Sequence, residues 1–118
     1  MKKKIIIAGG RDFYDYTKLC EVCDTLFKGR INKIRIVSGT AHGADKLGER
    51  YAKEHGYTIA RFPADWNTHG NSAGYIRNAA MAEYADALVA FWDGKSKGTK
   101  HMIDLAKKAT LKIRIIYY

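Results

Sequence analysis

The sequence predicts an α/β protein: a Rossmann-like, doubly wound, mostly parallel sheet of five strands with helices on both faces. Three observations predict it. Short β-branched runs alternate with segments of helical period from one end of the chain to the other. The first run, "KIIIAGG", is continuously apolar instead of alternating, which suits a strand covered on both faces. The glycines, hydroxyls and charged residues that break the pattern gather just after the strands. Open parallel sheets bind their ligands there.

The first strand covers residues 4–10. A helix over residues 16–28 follows, with Leu19, Val22, Cys23, Leu26 and Phe27 on one face. "KIRIVSG" is the second strand. The next helix, Ala44–His55, is closed by Gly56 as a C-cap. "YTIARF" is the third strand, stopped by Pro63. The polar stretch "PADWNTHGNS" is a loop leading into a helix over Ala73–Tyr84, with Ile76, Ala80 and Tyr84 on its apolar face. "ALVAFW" is the fourth strand, "DGKSKGT" a glycine-bearing loop, and a helix runs from there to about residue 108. "LKIRIIYY" is the fifth strand. The absence of any linker, repeat or low-complexity stretch points to a single domain over residues 1–118.

Composition narrows the class. The chain is 47% hydrophobic and 28% charged, ordinary for a globular protein, and its net charge of +9 favours anionic partners. Cys20 and Cys23 form a C-x-x-C inside a helical pattern, not at the helix start that lowers a thiol pKa, so Cys23 reads as core. Two cysteines in such a chain suggest a reducing compartment. The apolar run after Lys4 is too short for a signal peptide or a membrane span. A cytoplasmic protein with no membrane partner is expected.

Four strand ends carry the chemistry. After the first strand come Gly9, Gly10, Arg11, Asp12 and Phe13: two glycines allow close backbone approach, and Arg11 can pair a phosphate or carboxylate. After the second come Ser38, Gly39, Thr40, Ala41, Gly43 and Asp45. Hydroxyls and unhindered amides at a helix start suit an anion, and Asp45 suits a ribose hydroxyl. The plainer alternative is a helix cap. Asp65 and Trp66 follow the third strand, where an indole can stack a base and an acid can take a hydroxyl. Trp92 ends the fourth, before Ser96, Gly98 and Thr99, a second anion nest among Lys95, Lys97 and Lys100. No Gly-Lys-Ser/Thr follows either glycine loop, "AGGRDF" lacks the third glycine of a dinucleotide fingerprint, and the four histidines show no metal-ligand spacing. No metal and no cofactor is expected.

"IIIAGGRDF", "VSGTAHGADKLGERYA", "FPADW", "GYIRNAAMAEYADALVAFWDG" and "KSKGTKHMIDLA" together resemble the small YspA-like domains of the SLOG superfamily, over nearly the whole chain. That superfamily includes the Lonely Guy phosphoribohydrolases and the DNA-processing protein A family, which binds single-stranded DNA. Other members are linked to nucleotides derived from NAD and ADP-ribose. The resemblance implies a Rossmann-like fold and a nucleotide site. It matches Ser38, Gly39, Ala41, Gly43 and Asp45 to a block of the DNA-processing family, Arg77 and Asn78 to its arginine-asparagine helix start, and Gly98 and Thr99 to the phosphate-binding turn of the phosphoribohydrolases. Those hydrolases follow this turn with a catalytic glutamate; here Lys100, His101 and Met102 follow. The resemblance with that departure implies retention of a phosphate over cleavage.

The resulting reading is a nucleotide-binding module, a sensor or sequestering protein for a phosphorylated nucleoside or an NAD- or ADP-ribose-derived ligand. The amides of residues 38–43 hold the ligand's phosphate or ribose. An N-glycosidase-like hydrolase using Asp45, Asp65 or Glu83 is the first alternative. A single-stranded DNA binder using the basic surface with Phe13, Trp66 and Trp92 is the second. Weak nucleic-acid binding and assembly into a homo-oligomer are also expected.

Overall fold

The alternating pattern folds into one sheet whose strands all run parallel, in the order β3-β2-β1-β4-β5. The computed structural model describes residues 1–118. The strands are β1 (Lys3–Gly9), β2 (Ile34–Ser38), β3 (Thr58–Arg61), β4 (Ala87–Trp92) and β5 (Lys112–Tyr117). The helices are α1 (Tyr16–Phe27), α2 (Ala44–His55), the single turn α3 (Trp66–His69), α4 (Ala73–Tyr84) and α5 (Lys97–Lys108).

Strand period explains the two-layer core. Alternate residues of β1 point to opposite faces. Ile5 and Ile7 join Ile36, Val89 and Phe91 under α1 and α2. Ile6 and Ala8 join Val37, Leu88 and Ala90 under α4 and α5. This double coverage is what the unbroken apolar run of β1 requires. The edge strands β3 and β5 have a neighbour on one side only and stay half-exposed.

The helix over residues 16–28 forms as expected, with Leu19, Cys23 and Phe27 buried and Val22 and Leu26 half-buried. Its cap is Asp15, whose side chain accepts from the Lys18 amide at 3.1 Å. Both cysteines are free, and burial pushes the Cys23 thiol up to about 12. Ile76 departs from expectation: it is exposed, and the buried stripe of α4 is Ala73, Asn78, Met81 and Ala82. Small residues let α4 lie close to α5, and that rotates Ile76 outward. The turn α3 also lies within what reads as loop; Asp65 caps it through the Thr68 amide. No helix is long and apolar enough to cross a membrane.

The chain winds outward from β1 to β2 and β3, then returns to the other side of β1 with β4. The carboxyl ends of β1 and β4 therefore flank the topological switch point, where the loops splay apart and leave a crevice.

Candidate functional site

The crevice is a cavity of about 460 Å³ at that switch point. Gly9, Gly10, Arg11 and Asp12 enter it from β1, Ala41 and Asp45 from the start of α2, Arg77, Asn78 and Met81 from α4, and Asp93, Ser96, Gly98, Thr99 and Met102 from the end of β4 and α5.

The two glycine-bearing helix starts differ physically. At α2 the loop is engaged with itself. The Thr40 amide donates to Ser38 Oγ at 3.0 Å, and the Ala41 amide to Asp45 Oδ2 at 3.2 Å. Gly43 sits at φ +80°, and a Cβ there would lie 2.2 Å from the Gly10 carbonyl oxygen. The Ala44 amide donates to that same oxygen at 3.2 Å. A Cβ on Gly39 would lie 2.7 Å from Arg77 Nη1 and 2.8 Å from Asp45 Oδ2. These glycines let three segments meet. The expectation that the amides of residues 38–43 hold a ligand is corrected at Thr40 and Ala41, because side chains of the loop already occupy them.

At α5 the helix start is open. Asp93 Oδ1 accepts the Lys95 and Ser96 amides, both at 2.8 Å, which shapes the turn before the helix and holds the Asp93 carboxyl below its ordinary value. The Ser96 side chain caps no backbone amide of the helix, and no acidic residue stands in the first turn. The amides of Lys97, Gly98 and Thr99 find no backbone acceptor. Such an uncapped start attracts an anion through its amides and its dipole. Ser96 and Thr99 hydroxyls lie 3.3 Å apart beside it.

Asn78 orders the wall between. It is buried, its Oδ1 accepts from Arg77 Nε at 2.9 Å, and its Nδ2 reaches the Gly98 carbonyl at 3.4 Å and His101 Nδ1 at 3.2 Å. Arg77 also donates through Nη1 to the Gly39 carbonyl. Burial lowers the Arg77 pKa; Asp45 opposes that and Arg11 adds to it. Asp45 is 5% exposed, and burial pushes its carboxyl up to about 6 against the Ala41 amide and the Arg77 charge. Away from the cavity, Ser38 Oγ donates to Glu49 Oε2 at 2.7 Å and Arg61 Nε to Glu49 Oε1 at 3.0 Å. That pair ties β2 and β3 to α2, so Ser38 supports the loop and does not line the cavity.

A second cavity, of about 630 Å³, opens beside the first, lined by Arg11, Gly39, Thr40, Ala41, His42, Pro63, Ala64, Trp66 and Arg77. Trp66 is half-exposed there. Four other expected residues lie elsewhere. Phe13 is 2% exposed and stacked on Phe91 at 4.6 Å, so it has no free face for a base. The Trp92 indole N–H donates to the Ser96 carbonyl at 3.1 Å; the ring braces the loop before α5 from outside the cavity. The Asp65 carboxylate caps α3, which lowers its pKa, and lines neither cavity. Glu83 is exposed near the end of α4, on a face turned from both.

The sequence reading did not select Asp93, Met81, Met102, His42 or Pro63. The "WDG" turn signal marks Asp93. The two methionines look like any core residues, and only the packing of α4 on α5 turns them toward the cavity. No three metal-ligating side chains cluster anywhere.

Comparison with known proteins agrees with this architecture. The sequence model of the YspA, cpYpsA-related SLOG family matches residues 3–69. The Gene 61 protein of Mycobacterium phage D29 is 32% identical over 118 aligned residues, 94% of each chain. Among solved structures, DNA processing protein A from Streptococcus pneumoniae superposes with a TM-score of 0.73 at 14% identity, over 98% of this chain and half of that one. DNA processing protein A from Helicobacter pylori, described in a single-stranded DNA binding mode, superposes with a TM-score of 0.69 at 21% identity, over 96% of this chain and 64% of that one. The protein TM1055 gives 0.68 at 21% identity, over 96% and 72%. These likenesses show a shared fold.

Proposed function

Because the chain belongs to the YspA, cpYpsA-related SLOG family, we propose that it is a nucleotide-binding module, one domain over residues 1–118, that retains a phosphorylated nucleoside at the switch point. The open start of α5 carries this reading. Its free amides, the Ser96 and Thr99 hydroxyls and the absence of a first-turn acid suit this end of the cavity to a phosphate. Asp12, Asp45 and Asp93 are acceptors suited to ribose hydroxyls. A sensing or sequestering role and assembly into a homo-oligomer belong to the same proposal, and native mass spectrometry of the purified protein reads bound nucleotide and subunit number together.

Retention is favoured over hydrolysis, since two of the three candidate acids lie outside both cavities. Of those three, Asp45 alone lines the switch-point cavity and is the one a hydrolase would use. Calorimetric titration with nucleoside monophosphates should show binding, and Thr99→Ala should weaken it by about 1.5–3 kcal/mol for one lost hydrogen bond to a charged group. Chromatography of the same mixtures should show no released base. Steady base release that Asp45→Asn abolishes would replace the binder with the hydrolase.

A further inference from the structure

Arg11 and Arg77 stand where cavities meet. Both line the switch-point cavity, the cavity beside Trp66, and a smaller one of about 190 Å³ that also touches Trp66, Tyr75 and Gly98. Neither takes part in an ion pair; the ion pairs of the chain involve Glu49, Glu54 and Asp104. Arg77 is fixed by Gly39 and Asn78 through Nη1 and Nε. Asp45 lies near both guanidinium groups but makes an ion pair with neither, so the two positive charges, which repel each other, stay available to an anion that joins them. Bidentate geometry makes phosphate a good fit for that position. Beyond them Trp66 is 50% exposed, beside Pro63 and Thr40. An indole held against a cavity and left half-open offers a flat face for a base.

A mononucleotide with its phosphate at α5 occupies the switch-point cavity and leaves the Trp66 side empty. Each of the two larger cavities falls within the range of roughly 300–1,000 Å³ common for small-molecule sites. We propose that the ligand is two nucleoside units joined through phosphate. One unit fills the switch-point cavity, the linking phosphate lies between Arg11 and Arg77, and the second base lies on Trp66. This rests on the nucleotide-binding reading and adds the ligand's class to it. Such chemistry comes either from a free dinucleotide or from a nucleic-acid strand.

Calorimetry separates the cases. The probes are the four nucleoside 5′-monophosphates, the four matching 5′-phosphorylated homodinucleotides, pyrophosphate-linked diadenosine, and single-stranded decanucleotides of each base, all at 150 mM salt. At least one two-unit probe should bind about fivefold or more tighter than its monophosphate, the lower end of what a stacked base contributes. Trp66→Ala should bring that probe down to the monophosphate's affinity, and Arg11→Gln should weaken it more than the monophosphate. Both side chains are exposed, so circular dichroism should show an intact fold. A decanucleotide tighter than every two-unit probe, and equally sensitive to Trp66→Ala, identifies a strand as the source; the reverse order identifies the free dinucleotide. Equal affinity of one-unit and two-unit probes, or indifference to both substitutions, overturns the proposal and leaves the mononucleotide reading standing. Binding of none of the probes overturns both.

Discussion

Asp45 has one oxygen on the Ala41 amide, lies near the Arg77 and Arg11 charges, and is almost wholly buried, so its charge is held against a desolvation penalty. A carboxyl raised from its ordinary value of 3.8 to about 6 binds its proton more tightly in the folded chain than in the unfolded one. Its contribution to stability is therefore full below about pH 4 and disappears as pH rises through about 6. Asp45→Asn keeps an acceptor for Ala41 and removes the charge. At pH 7 the variant should exceed the parent in stability by about 1–3 kcal/mol, and near pH 4 the two should coincide in urea denaturation. Glu49 acts in the opposite sense. Burial raises it, but hydrogen bonds from Ser38 and Arg61 outweigh burial and hold it below its ordinary value. Its contribution fades as pH falls, in parent and variant alike, so the difference between them isolates Asp45. A constant difference from pH 4 to 7 would contradict the assignment. The residue type and position of Asp45 were readable from sequence; its burial was not, because it depends on Arg77 from α4 and Gly39 from the end of β2 closing over it.

At the scale of elements, α2 and α5 read alike in sequence: each starts with glycine and hydroxyl residues after a strand. The structure separates them. Gly43 ends pressed on the Gly10 carbonyl, and Asp45 folds back on its own loop, whereas α5 keeps its first amides open. Ser96→Asp tests the difference. An aspartate at that N-cap should accept first-turn amides, stabilising the fold by about 0.5–1 kcal/mol. The same carboxylate would occupy and repel the anion position, so monophosphate affinity should fall at least about tenfold. Higher melting temperature with undiminished affinity would move the phosphate elsewhere. Helix and strand identities were legible because apolar period sets them locally. The inward face of α4 was not: its alanines and methionines fit several rotations, and contact with α5 selects the one that exposes Ile76.

At the scale of the whole molecule, the net charge of +9 attracts any polyanion at low salt. Surface attraction by counterion release weakens steeply with added salt, with a slope set by the number of phosphates neutralised. A ligand held by amides, two arginines and one indole displaces few ions. For a single-stranded decanucleotide, affinity measured by anisotropy from 50 to 500 mM salt should therefore have two components. The salt-sensitive one should ignore competing nucleotide, and any salt-resistant one should be displaced by it. Displacement of the salt-sensitive component instead would place the whole interaction in the cavities.

The sequence by itself determined the α/β class, a mostly parallel sheet of five strands, the double burial of the first strand and the loops that follow the strand ends. Strand and helix periods and turn residues are local properties, written in neighbours along the chain. Only the tertiary structure decided which marked residues meet. It brought Arg11, Asp45, Arg77, Asn78, Gly98 and Thr99 to one cavity and left Phe13 in the core, Trp92 behind the α5 loop, Asp65 on a cap and Glu83 in solvent. Convergence of that kind depends on which side of β1 the returning strand β4 takes and how far α4 rotates against α5. Both are set by packing between segments far apart in the chain.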